Sequence, residues 1–167
     1  MEESVHDDME RVLRLLAVCT DKKNQYLTRI LTITENQENI YAWEKSAANR
    51  YPVLREMNVE KQRLIQDVFQ QDQEFQDNFK RLGSDFEKNS TMYKPQIRSL
   101  QEKIAMAMSL DEQIRRQEDK NHLLLTADTD NKGIPQPAAA GPDQRQPQKS
   151  LSKHVLDRYK KNAKKNK

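Results

Sequence analysis

Three histidines, one cysteine and a dense set of carboxylates are the residues of this chain that could do bond-making chemistry. A zinc or other transition-metal site on a helix needs two ligands at i, i+4 spacing or a paired-cysteine motif. His6, His122 and His154 are far apart, and Cys19 is the single cysteine. A phosphate loop needs glycines just ahead of a Lys-Ser/Thr pair so that backbone amides can face the phosphates. The three glycines, Gly83, Gly133 and Gly141, offer no such run. No nucleophile is paired with a base, and acidic residues on helices this charged form a solvated face. The sequence therefore points away from an enzyme and implies no metal and no cofactor.

What remains is the chemistry of recognition. "IAMAMSLDEQI", Ile104 to Ile114, puts two methionines, two alanines and a leucine into a chain in which 33% of residues are charged and 35% hydrophobic. Methionine is flexible and polarisable, which suits a groove that must fit related helices, and alanine lets another backbone approach closely. The same residues also suit a bundle seam, with Ile104, Ala107 and Ile114 inward and Met106, Met108 and Leu110 on its flanks. The residues expected to face a partner are Leu100, Ile104, Met106, Met108, Leu110 and Ile114.

The elements that must carry these residues are read from periodicity. Alternating steps of four and three from Val5 reach Met9, Val12, Leu16, Cys19, Lys23, Tyr26, Ile30, Ile33, Gln37 and Ile40, five heptads interrupted by polar residues only at Lys23 and Gln37. Leu13, Leu27 and Tyr41 widen the stripe, as expected of a helix with two neighbours. Pro52 predicts that this helix ends shortly before it. The spacing resumes from Val53 through Leu54, Met57, Leu64, Val68, Phe75 and Leu82, with Ile65, Phe69, Phe79 and Phe86 alongside and a weak point at Gly83. Asn89, Ser90, Thr91 and Pro95 mark the next break. A third helix then runs through Ile97, Leu100, Ile104, Ala107, Ile114 and Leu125, with Asp111, Glu118 and Asn121 as polar exceptions in its second half. That half is expected to fit a closed core poorly.

The predicted fold is all-α: an elongated antiparallel bundle of three long helices over residues 1–126, a rod of about 45 to 60 Å at 1.5 Å per residue. Residues 127–150 read as a disordered Pro/Ala/Gln-rich linker. Residues 151–167 read as a basic tail in which Leu151, Val155, Leu156 and Tyr159 can share a face of a short helix. Lys149 to Lys167 hold eight Lys/Arg against the single acid Asp157, a net of +7, which leaves −4 for residues 1–148. The tail has no aromatic series beyond Tyr159 and no nucleic-acid motif, which argues for a solubilising end over a nucleic-acid arm. The lone cysteine and the lack of a secretory leader or a membrane-length apolar run predict a cytoplasmic protein.

The order long helix, break, long helix, polar break, long helix resembles the FlgN family of flagellar type III export chaperones over about residues 1–126, with the FliT-like chaperones as the near alternative. Two local stretches carry the resemblance: "VEKQRLIQDV" in the second helix, and "YKPQIRSLQEKI" followed by "LDEQIRRQEDKN" in the third. The connection "YAWEKSAANRYPVL" is longer than that pattern expects. The resemblance implies a small cytoplasmic helical protein that binds the C-terminal helical segments of hook-filament junction proteins such as FlgK and FlgL and presents them to the export-gate machinery. The competing expectation is a structural coiled-coil or bundle adaptor that self-associates, its basic tail binding nucleic acid; for the chaperone reading, both monomer and dimer are open.

Overall fold

The computed structural model describes the backbone of residues 2–132 and the side chains of 4–83 and 86–127. Residues 133–150 of the predicted linker lie outside these residues, as does the whole basic tail, while the linker's first residues, 127–132, are helical. The described residues contain no strand. Helix α1 spans Glu2–Trp43, α2 Ala47–Lys80, α3 Gly83–Lys88 and α4 Lys94–Lys132, with a single 3-10 turn over Ser90–Tyr93. The described residues thus hold three long helices and a short fourth.

The boundaries depart from the sequence expectation in three places, each for a local reason. First, α2 opens at Ala47, ahead of Pro52, which lies inside the helix. The Ser46 carbonyl accepts from the amides of Asn49 at 3.1 Å and Arg50 at 3.0 Å, which starts the helix there. Pro52, in the second turn of α2, forgoes the bond its missing amide would have made to the Ala48 carbonyl, and its ring crowds that carbonyl. Second, α2 does not reach Leu82 and Phe86. Its last turn tightens through Arg81 N–H to the Asn78 carbonyl and Leu82 N–H to the Phe79 carbonyl, and Gly83 follows at φ 61°. That left-handed conformation stops the helix, and Phe86 belongs to α3. Third, α4 continues past Leu125 to Lys132. Pro95 sits in its first turn, where a missing amide costs nothing. Asn89 precedes the 3-10 turn without a side-chain capping bond.

The residues fall into two compact units. Unit 1 comprises Met1–Ile30 and Glu60–Leu110. Its apolar core joins Met9, Val12, Leu13, Leu16 and Cys19 of α1 to Phe75, Leu82, Tyr93 and Leu100, with Phe79, Phe86, Ile97 and Ile104 packed against it. Contacts order the helices: Cys19 approaches Glu74, Lys23 meets Asp72 and Arg29 meets Glu60, so α1 and α2 run oppositely here. His6 bonds with Tyr93 and Asn24 with the Lys103 carbonyl, so α1 and α4 run the same way.

Unit 1 also encloses an ion pair. Lys23 Nζ donates to Asp72 Oδ1 at 2.9 Å, with side chains only 1% and 6% exposed. Thr20, one turn before Lys23, is buried too and returns its hydroxyl to the Leu16 carbonyl at 2.8 Å. Removing one member of such a pair strands a desolvated charge, whereas replacing both with apolar groups does not. Asp72→Ala is therefore expected to cost about 3–5 kcal/mol, and Lys23→Met with Asp72→Leu to restore most of it; urea denaturation of the three proteins checks this. A Cβ at Gly83 would meet nothing within 4 Å, so only conformation demands glycine there. Gly83→Ala is expected to cost about 1–2 kcal/mol, read as a lowered melting temperature without loss of helicity in the native state.

Candidate functional site

The six residues expected to face a partner do not share one exposed face. Five lie in unit 1, where Leu100 and Leu110 are buried, Ile104 packs against the core and Met108 is half-buried. Met106 alone is well exposed, at 53%. Residues two apart on a helix point to well-separated sides, so Met106 and Met108 flank the buried seam of Leu100 and Ala107 on opposite sides. Ile114 lies in unit 2 and is half-buried.

Unit 2, made of Leu31–Val59 and the chain from Asp111, has an unusual interior. Among the described residues, every apolar side chain classed as fully buried belongs to unit 1. The fully buried residues of unit 2 are polar: Thr34, Gln37, Arg50, Asp111 and Asn121. Gln37 Nε2 donates to Asn58 Oδ1 at 2.9 Å, joining α1 to α2. Asn121 Nδ2 donates to the Thr34 carbonyl at 2.8 Å, and Lys120 pairs with Glu38 at 3.6 Å, joining α4 to α1. Hydrogen bonds thus close the centre of this unit, and each contributes only about 1 kcal/mol net.

The apolar residues of unit 2 are left partly wet. Ile33, Ile40, Leu54, Met57, Ile114 and Leu125 are each half-buried. Trp43, Tyr51, Val53, Val59, Leu123 and Leu124 are exposed, Trp43 at 83%. Full burial of such a side chain is worth about 1.5–3 kcal/mol, so each half-buried one has roughly 1 kcal/mol still to gain. An apolar surface of this kind, closed at its centre by directional polar bonds, can receive an amphipathic segment.

Spacing alone placed Ile114, Leu54 and Met57 on seams. It did not show that their neighbours are too small or too polar to cover them. The signal available was the run of seam interruptions at Gln37, Asp111, Glu118 and Asn121, all of which fall in unit 2.

The titratable groups set apart by their surroundings lie in unit 1. Burial first, and then the Glu74 carboxylate, push the Cys19 thiol above its ordinary 9.0. Tyr93, 1% exposed and facing His6 and Phe86, is pushed above its ordinary 10.0 by burial and then by Glu10 and Asp7. Among the described residues no group of three or more His, Cys, Asp or Glu side chains is arranged to hold a metal ion, and no helix is long and apolar enough to cross a membrane. Comparison of the chain with protein-family models, with curated proteins and with solved structures finds no match in any of the three.

The raised thiol and phenol carry a pH dependence of definite sign. Below about pH 8 both groups are protonated in the folded and unfolded chains, so they add no slope. Above their ordinary values the unfolded chain releases its protons first, and stability falls as pH rises. Urea midpoints measured from pH 7 to 10.5 are expected to fall above about pH 9, and Cys19→Ala with Tyr93→Phe to flatten that fall.

Proposed function

We propose that the chain is a flagellar export chaperone of the FlgN-like kind, with the FliT-like chaperones as the near relatives in type. In this reading it works in the cytoplasm, holds the C-terminal helical segments of FlgK-like and FlgL-like junction proteins, and yields them to the export gate. The three long helices would pack as an antiparallel bundle, a reading supported by the contact order within unit 1.

The observation that carries the proposal is the unfinished apolar interior of unit 2. A client helix laid over Ile114, Leu54, Met57 and Leu125, with the exposed Val53 and Leu124 at the rim of its footprint, would complete that burial. The client leaves when another interaction competes for the same apolar face, so no covalent step is needed. The partner-facing role expected of the α4 methionine segment is accordingly proposed to begin at Ile114 and extend to Leu124, with Met106 a lesser contributor.

The test is retention of tagged C-terminal segments of FlgK-like and FlgL-like proteins by the full chain, together with amide exchange. Val53→Glu with Leu124→Glu alters exposed positions, so helicity by circular dichroism is expected to hold while affinity falls about tenfold or more. Amides of unit 2 are expected to exchange faster than those of unit 1 in the free chain and to slow on client binding. Failure of the wild-type chain to retain either segment, or full retention by the double variant, overturns the proposal.

A further inference from the structure

Unit 1 has a surface of different character from the interior of unit 2. An open groove of about 280 Å3 runs between the first turns of α1 and the turn from α2 into α3. Its α1 wall carries Val5, Met9, Val12 and Leu15, and Leu82 faces them. Met9, Val12 and Leu82 are buried and form the floor, whereas Val5 and Leu15 remain 45% and 36% exposed. The wall from Val5 to Leu15 is about 15 Å long, three turns of helix. The volume falls short of the roughly 300–1,000 Å3 of enclosed small-molecule pockets, and the groove is open along its length. That shape suits side chains projecting from one face of a helix.

Charge selects the occupant. Arg11 stands on the α1 rim and Arg81 on the opposite one. Arg11 makes no ion pair among the described residues, and Arg81 reaches only Asn78 Oδ1, at 3.5 Å. Asp8 also lines the groove, so among the described residues its lining holds two cations and one anion, in a chain whose residues 1–148 carry a net −4. Asp7 and Glu10 flank Arg11 on α1, so a docked segment gains only where its carboxylates fall on the two guanidiniums. The basic tail, with its +7, is disfavoured by the same two arginines.

We infer that this groove docks an acidic amphipathic helix of a partner protein, whose apolar face covers Val5 and Leu15 and whose carboxylates meet Arg11 and Arg81. Arginine suits the role because its planar fork binds carboxylate in two parallel hydrogen bonds. The inference goes beyond the export-client reading and stands without it, since that client belongs to unit 2.

The test uses the full chain and two synthetic peptides of about 14 residues, four turns of helix, with leucines at i, i+3, i+4 and i+7. One bears Glu at the remaining positions and the other Lys. Fluorescence anisotropy is expected to show saturable binding of the Glu peptide, weakened about tenfold or more by Arg11→Glu with Arg81→Glu. The same double variant is expected to gain affinity for the Lys peptide, and Leu15→Ser to weaken the Glu peptide. Arg63→Glu with Arg98→Glu, exposed arginines of unit 1 outside the groove, is expected to leave binding within about twofold. If charge reversal lowers helicity, Arg11→Gln with Arg81→Gln makes the same comparison. Absence of saturable binding, equal binding of both peptides to the wild type, or an equal loss from the Arg63/Arg98 pair overturns the inference.

Discussion

Lys23 and Asp72 meet inside unit 1 with almost no water around them, and the helices near them have to be placed so that neither charge is left alone. An apolar seam allows a helix to slide or rotate by small amounts at little cost. A desolvated ammonium bonded to a buried carboxylate does not. The pair therefore fixes the register of α1 against α2 at one level, and the apolar contacts on either side of it follow. Above it Cys19 approaches Glu74, and Met9 and Val12 share a core with Phe75 and Leu82. Beside it Asn24 ties α1 to the Lys103 carbonyl of α4. A polar pair of this type adds little net stability and a good deal of uniqueness, which matters in long helices whose heptads resemble one another.

The same supply of residues explains why unit 2 is built differently. A chain with 35% hydrophobic residues and no strand among those described has limited apolar surface to distribute over three long helices. The aromatic residues Phe75, Phe79, Phe86 and Tyr93 are grouped in unit 1. Unit 2 relies on Gln37, Asn121 and Thr34, whose bonds are directional and weak in net terms. The result is a unit whose geometry is specified and whose apolar burial is incomplete. In the proposed function those properties belong together: the surface is shaped before the client arrives, and the gain in burial is reserved for the bound state.

Much of this was legible in the residues. The seam from Met9 to Ile30 was readable because five heptads of periodicity outweigh any single polar interruption, and Leu64, Val68, Phe75, Leu100 and Ala107 are inward as their spacing demanded. Lys23 and Gln37 were visible as interruptions, but their partners Asp72 and Asn58 were not, because register between helices is a tertiary property. Pro52 argues for a start of α2 beyond it, whereas the Ser46 carbonyl opens the helix at Ala47 and the proline is carried in the second turn, a local start that a proline rule does not show. The two methionines were read as one surface although positions two apart point to different sides. Depth of burial was the least accessible quantity: periodicity shows which way Ile114 and Met57 point, and nothing in one helix shows how much its neighbours cover.

The chain has one tryptophan, at the last position of α1, and its indole is almost fully in water. With no second indole to blur the signal, all of the molecule's tryptophan emission, selected from that of the tyrosines by excitation at the red edge, comes from that single point. The turn between α1 and α2 is in effect already dyed, and whatever lands there will change colour and quenching without any label being attached.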